Sequence, residues 1–410
     1  MAKSPLLEQL YIAPGNPGTA TCGDNIALDI MDNEAIIAFC TKYAIDLLVV
    51  GPEAPLVNGI HDAMSTDART RDVTVIGPKE GGAMLEGSKD FSKQFMLRNN
   101  VPTAAYKTFD PGTISDGEEF LEGLKGPYVL KCDGLAAGKG VLILENLTEA
   151  KQKLREILED GSFGSAGAKV VIEEFLSGTE LSAFILTDGK DYLLLPTAKD
   201  YKRIGEGDLG LNTGGMGALS PAPVADAEFM QQVKEKVIDR TMLGLQKENI
   251  HYHGFLFIGL MRVVDEPYVI EYNVRMGDPE TEVVLPRIDS DLLAHFMAVG
   301  SGSLATQQMD VSSQSACTVM MVSGGYPESY EKGKEIKGLK YVGPEAMVFH
   351  AGTHEEEEGK IKSSGGRVLT VTCMADEIGH ALQMSYENIS RIYFDACYYR
   401  KDIGYELSEA

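Results

Sequence analysis

The sequence predicts a multidomain protein of α/β and α+β type. Strand-like Val/Ile/Leu runs alternate with helical periodicity in the first part of the chain, which indicates a parallel sheet covered by helices. Further on, strand-like runs crowd together around a single helical segment. A length of 410 residues implies several domains, at about 150 residues each. With 44% hydrophobic and 24% charged residues, the composition is that of a globular chain, which sets aside disorder, collagen and coiled coil.

In the first region, 7–13 reads as a strand, 33–45 as a helix, and 46–51 and 73–77 as buried strands closed by Gly77-Pro78. A helix follows at 88–99, with Phe91 and Phe95 on one face. From Tyr106 to about Ser182, strands at 128–131, 140–145, 168–175 and 181–187 surround one helix at 147–159, as a smaller α+β unit. Residues 190–223 read as a long loop rich in Gly, Asp and Pro, and loops of that length usually carry function. After Asp226 come an amphipathic helix, strands at 254–264 and 268–274, and a helix at 291–299. A Ser/Gln-rich connector at 301–315 opens a C-terminal region of strands and turns. The acidic run 355–358 reads as a solvated loop.

The formal net charge of −24 opposes phosphate backbones and anionic lipid, which argues against a general nucleic-acid binder and against peripheral attachment to anionic membranes. No apolar run approaches the ~20 residues that span a bilayer, and 255–261 reads as a core strand. The first residues lack a charged-then-apolar signal, which suggests a cytoplasmic protein. Six dispersed cysteines without a CxxC pair read as reduced, mostly buried thiols.

Three segments carry chemistry. In YVLKCDGLAAGKGVLIL (128–144), a strand ending at Lys131 enters a loop with Gly134, Gly138 and Gly140. Glycines let backbone N–H groups approach phosphate, and Lys131 and Lys139 add charge. The spacing is not GxxxxGK[ST] and the next element is a strand, which leaves a phosphate-binding hairpin or a plain one. In VIEYNVRMGDPETE (269–282), strand alternation puts Glu271, Asn273 and Arg275 on one face and Ile270, Tyr272 and Val274 on the other. Carboxylate and amide oxygens suit Mg²⁺, and a guanidinium suits phosphate or carboxylate. In VVIEEFLSGTELS (170–182), a strand exits through Glu173 and Glu174 toward Glu180, a pattern that can hold an adenosine.

These segments, in this order, resemble the ATP-grasp fold. With GPEAPLVNG (51–59), LEGSKDFSK (85–93), KCDGLAAGKGV (131–141), KDYKRIGEGDLGLNTGGMGALSPAP (199–223) and RMGDPETE (275–282), the chain is similar to the phosphoribosylamine–glycine ligase family of purine biosynthesis. FHAGT and GGRVLTV extend the resemblance into the C-terminal region. It implies a Rossmann-like, pre-ATP-grasp domain at 1–84, an ATP-grasp domain at 85–308 with a mobile subdomain at about 106–174, and a small α+β domain at 309–410. It further implies ligation of glycine to 5-phosphoribosylamine through glycyl phosphate, by a monomer using ATP and Mg²⁺ or Mn²⁺. Lys89, Lys131, Gly138, Lys139 and Gly140 would serve the phosphates, and Glu173, Glu174, Leu176 and Glu180 the adenosine. Glu271 and Asn273 would hold the metal, while Glu53, Asp200, Arg203, Asn212, Thr213, Gly214, Arg275 and Asp278 would line the substrate pockets. Lys131, Arg275 and Asp200 would act in the chemistry, with no general base assigned.

Two departures stand out. Met276 takes the place of the family's Phe or Leu. The strand and GxGGREH turn that open the family, about 20 residues of a βαβ unit, are expected before SPLLEQLYIAPGN and are missing. A nucleotide-binding protein impaired in ligation is therefore the alternative reading, and another ATP-grasp ligase is a further rival. His251 and His253 read as structural, His61 and His295 as packing or surface residues, Cys132 as pointing into the core, and Met216 as packing beneath a substrate loop.

Overall fold

The computed structural model describes residues 1–135, 140–356 and 359–408. The glycine-loop residues Gly138 and Lys139 therefore lie outside the described residues. So does part of the acidic run, Glu357 and Glu358.

In the N-terminal region β1 (Tyr11–Ile12) pairs parallel with β2 (Asp24–Asn25). Helix α1 (Asn33–Lys42) starts where the Asp32 carboxylate accepts the Ala35 N–H. Strand β3 (Leu47–Val49) follows, then α2 (Glu53–Val57) and α3 (Ile60–Thr66), and β4 (Thr74–Ile76), which pairs parallel with β3. The parallel pairing matches the sequence reading, but the strands form two separate pairs, and the strand expected at 7–13 shrinks to β1. Ile36, Ile37 and Cys40 of α1 join Leu56, Ile60 and Met64 in one core.

Helices α4 (Glu80–Gly87) and α5 (Lys89–Arg98) meet at Ser88, whose hydroxyl accepts the Phe91 N–H. The next unit contains β5 (Tyr106–Phe109), α6 (Ile114–Gly123), β6 (Tyr128–Cys132), β7 (Val141–Leu144), α7 (Leu147–Leu158) and β8 (Val170–Glu173). Its antiparallel sheet has the order β5-β8-β6-β7. Residues of α6 and α7 fill its core with Leu130, Cys132 and Ile172. Helix α6 goes beyond the single helix expected here. Its sequence, ISDGEEFLEG, is polar and glycine-interrupted, and only Ile114, Gly117 and Leu121 are buried, so its periodicity is faint.

Strand β9 (Thr179–Thr187) belongs to another sheet, not to the smaller unit in which the sequence placed it. The expected loop at 190–223 is instead built of β10 (Tyr192–Leu194), β11 (Lys199–Asp200), β12 (Arg203–Gly205), β13 (Leu209–Asn212) and β14 (Gly217–Ser220). These strands are short: β10 pairs with β9 and β12 with β13 in local hairpins, while β11 and β14 join a sheet with distant β17. Helix α8 (Ala227–Val233) runs through a π-helical turn into α9 (Asp239–Lys247), and β15 (Gly254–Val263) and β16 (Glu266–Asn273) follow. The sheet order is β10-β9-β15-β16, with β15 buried over most of its length.

After α10 (Thr281–Val284) and α11 (Leu292–Ser301) come β17 (Ser315–Val322), β18 (Ala346–His350), the hairpin β19 (Thr353–Glu355) and β20 (Ile361–Ser363), and β21 (Arg367–Ala375). Helix α12 (Ile378–Ile389) completes the region, buried through Ala381 and Ile389. The sheet order is β11-β14-β17-β21-β18, so two strands from the middle of the chain extend the C-terminal sheet. All six cysteines are free, with Cys40, Cys132, Cys317 and Cys373 buried. Among the described residues no helix is long and apolar enough to cross a membrane.

Candidate active site

The three regions enclose a cleft of about 2090 Å³. Every described residue singled out from the sequence for ATP, metal or substrate lines it. They converge from α2, α5, β6, β8, β9, β11–β13 and β16.

On one side the cleft is rich in lysine. Lys89 opens α5, and its Nζ donates to the Gly134 carbonyl at 3.3 Å. The Ser88 hydroxyl and the Asp90 N–H both donate to Asp133, at 2.9 and 2.7 Å, and tie the start of α5 to the end of β6. On β6, alternation sends Cys132 into the core and Lys131 toward the cleft. Lys131 Nζ lies 2.9 Å from Glu173 Oε2 and donates to the Ile270 carbonyl at 3.2 Å. The second Glu173 oxygen lies 3.2 Å from Nζ of Lys93, which also donates to Thr103 at 2.7 Å. All three charged groups are buried. Burial lowers the Lys89 pKa and brings Lys93 down to about 8. Glu174 accepts the Ala105 N–H at 2.8 Å, at the entry to β5. Leu176 is half-buried, and Glu180 pairs with Lys202.

Strand β16 carries the candidate metal ligands, with one correction. Gly259 stands opposite Glu271 and Leu260 opposite Val269, so Ile270 is an extra residue in a β-bulge. Val269, Tyr272 and Val274 make the buried face, while Ile270 turns to the cleft and offers its carbonyl to Lys131. Sequence alternation placed Ile270 on the apolar face because it counts residues and is blind to register. Glu271 and Asn273 keep their expected face. Burial would raise the Glu271 pKa, but Lys202, Lys131, Lys89 and Arg275 outweigh it and hold the carboxylate ionised. An ionised carboxylate beside an amide oxygen fits Mg²⁺ or Mn²⁺. Among the described residues no group of three or more His, Cys, Asp or Glu is arranged for a metal, so further ligands would be water and phosphate oxygens.

Carboxylates dominate the opposite side. Arg275 reaches Glu86 at 2.7 Å and Glu53 at 3.4 Å. Burial lifts Glu86 to about 7 despite that arginine. Asp200 lies deep, and burial raises its pKa well above the carboxylate range, with Glu280 and Glu180 adding to the effect and Lys202 opposing it. Glu280 accepts from the Ser182 hydroxyl at 3.1 Å. Arg203 donates to the Gly210 carbonyl across the β12–β13 hairpin. Asn212 lines the cleft beside Thr213, whose hydroxyl donates to the Lys202 carbonyl at 2.8 Å. The Gly214 N–H donates to the Tyr326 hydroxyl at 3.1 Å, and Arg367 joins the Gly214 carbonyl to the Asp278 carboxylate, at 2.5 and 2.7 Å.

NTGG and GDPE meet directly. Gly215 has φ +113°, and a Cβ there would stand 2.3 Å from Pro279 Cδ, so only glycine lets the two turns touch. Half-buried Met276 packs against the apolar cluster of Phe184 and Phe257. The sequence reading passed over Lys93, Lys202, Glu86, Glu280 and Arg367. A signal existed for two of them. Lys93 sits one helical turn after Lys89, and Lys202 shares alternation with Asp200. The rings of His61, His251 and His253 cluster at 4.3–6.1 Å outside the cleft lining. His295 is buried against Ser290, and Met216 is fully buried in the C-terminal core.

Family models of phosphoribosylglycinamide synthetase match in succession: the N domain at 1–86, the ATP-grasp (A) domain at 87–281 and the C domain at 316–406. The chain belongs to the phosphoribosylglycinamide synthetase family. Its relatives include the phosphoribosylamine–glycine ligase of Mesorhizobium japonicum, 44% identical over 407 residues, which cover 99% of this chain and 94% of that protein. That of Escherichia coli O6:H1 is 41% identical, covering 100% and 95%. The crystal structure of phosphoribosylamine–glycine ligase from Thermotoga maritima superimposes with a TM-score of 0.82 at 33% identity, over 96% of this chain and 93% of that one. N5-carboxyaminoimidazole ribonucleotide synthetase from the same organism, 14% identical with a TM-score of 0.62, shares the fold. Like other phosphoribosylglycinamide synthetases, the chain is an ATP-grasp ligase.

Proposed function

We propose that the chain joins glycine to 5-phosphoribosylamine, giving glycinamide ribonucleotide, ADP and phosphate, as a step of purine biosynthesis. One observation carries this reading: a single cleft sets buried lysines and an ionised Glu271 against a wall of protonatable carboxyl groups. The first arrangement suits a triphosphate, and the second suits substrates that bring amino groups.

On this reading Lys89, Lys131 and Gly140, with Gly138 and Lys139, receive the phosphates. Glu173 serves at the adenosine end while fixing Lys131, and Glu174, Leu176 and Glu180 complete that end. Glu271 and Asn273 hold Mg²⁺ or Mn²⁺, which when bound offsets the charge of the phosphates. Arg275, braced by Glu53 and Glu86, faces the glycine carboxylate and its acyl phosphate. The carboxylate takes the terminal phosphoryl group, and the ribosylamine nitrogen then forms the C–N bond as phosphate leaves. Asp200 and Asp278 orient the amines, with Arg203, Asn212, Thr213 and Gly214 shaping the pocket. An amine is already nucleophilic, so positioning and water exclusion carry the step.

The match to all three family domains favours this ligase over a nucleotide-binding protein that does not ligate. Metal-dependent ADP release that requires both glycine and phosphoribosylamine is the expected result. Release that ignores either substrate would overturn the assignment.

A further inference from the structure

Segment 199–208 is poorly supported by its own backbone. Strand β11 has two residues, and β12 pairs only with β13 in an isolated hairpin. Yet it carries Asp200, Lys202 and Arg203 into the cleft. A cluster from the far end of the chain, built around buried Arg400, holds it, and Tyr405 and Glu406 of that cluster also reach the cleft. Arg400 is fully buried, and its Nε and Nη2 donate to the two Asp402 oxygens at 2.8 Å each. Its Nη1 reaches Asp208 Oδ1 at 2.6 Å and the Arg203 carbonyl at 3.1 Å. Tyr405 donates to the second Asp208 oxygen at 2.9 Å, and the Gly207 N–H donates to Asp402 at 2.7 Å. Glu406 accepts from Lys199 at 2.7 Å and from the Tyr201 hydroxyl at 2.6 Å.

The partners alternate. Lys199 and Tyr201 go to the C-terminal cluster, while Asp200 and Lys202 interact with Glu180 and its neighbours. A buried guanidinium is tolerable only when its donors are satisfied, and here loop and tail together satisfy them. We propose that Arg400 is a positioning residue, acting with Asp402, Tyr405 and Glu406 to set the geometry of Asp200 and Arg203 for the amine-bearing substrates. The C-terminal domain thereby tunes the substrate half of the site more than the ATP half, to which only Lys202 of this segment connects. The proposal rests on reading Asp200 and Arg203 as substrate-side residues.

The test is calorimetric binding of glycinamide ribonucleotide and, separately, of a non-hydrolysable ATP analogue to the full chain and to Arg400→Lys, Tyr405→Phe and Asp200→Asn. Arg400→Lys keeps the charge but loses the two-pronged contact, so ribonucleotide Kd should rise about tenfold while analogue Kd stays within about twofold. Tyr405→Phe removes one hydroxyl from a partly exposed side chain, and should raise ribonucleotide Kd by about threefold with no change in melting. It decides the matter if Arg400→Lys fails to fold. A parallel loss of both ligands, or no loss of either, overturns the clamp. Unchanged ribonucleotide binding in Asp200→Asn would overturn the substrate-side reading instead.

Discussion

Where α5, β6 and β8 meet, Lys93 and Lys131 share one buried glutamate, whereas across the cleft Asp200, Glu280, Glu53 and Glu86 crowd around Arg275 and Lys202. Desolvation works against charge in both regions, although Lys202, Glu53 and Arg275 keep partial exposure. On the lysine side it lowers the pKa values of Lys89 and Lys93, a cost that an anionic partner offsets. On the carboxylate side it drives Glu86 to about 7, although Arg275 stands 2.7 Å away, and Glu282 to about 8. The contrast teaches that the protein divides one cavity by charge before any ligand enters it. Lys202 stands at the boundary, within the field of Glu180, Asp200 and Glu271.

The severest challenge to that division is Glu271→Ala. It removes the carboxylate assigned to the metal, which the surrounding lysines and Arg275 hold ionised, and ligation should fall by about a thousandfold or more with unchanged melting. Near-normal turnover at ordinary Mg²⁺ would remove the metal assignment. Lys202→Met comes next, because it strips the cation shared by both halves. Ligation should drop by about a hundredfold and the Mg²⁺ requirement should rise, since Glu271 loses its largest stabilising charge. An unaltered Mg²⁺ titration would show that the halves are independent.

Lys93→Met should be milder, because Glu173 retains Lys131. Urea unfolding should reveal a loss of about 2 kcal/mol, and the KM for ATP should rise several-fold with the KM for glycine fixed. A matching rise for glycine would blur the division. The smallest effect belongs to Glu86→Gln and concerns pH. Between pH 4.5 and about 7 the folded chain keeps a proton on Glu86 that the unfolded chain releases. This group's contribution is therefore complete below pH 4.5 and lost as pH rises through about 7. Thermal melts should show a shallower decline across that window in Glu86→Gln, and identical slopes would refute the buried-proton account.

Much of this was legible from residue order. Long apolar strands such as β15 and the buried β6 announce themselves, and the GPEAP, KCDG, NTGG and GDPE motifs all reach one cleft. What escaped has a common cause. Strands β11 and β14 are too short to signal alone, and they form because β17 pairs with β14, which in turn pairs with β11. The Ile270 bulge depends on what β15 opposes. Lys93 and Glu173 look like surface charges until the fold buries them together. Local patterns report local preference, and these features are decided by distant partners.

The interleaved C-terminal sheet bears on modularity. A gene fragment cut at the expected 308/309 boundary would encode β17, β18 and β21 without β11 and β14. Strand β17 would then present a bare edge along Ala316–Val319, next to the apolar surface that Met216 and Leu219 normally cover. Such a fragment is primed to pair with itself. Recombination or fusion at that seam would break the sheet, whereas a segment that begins before β11 carries the whole sheet with it.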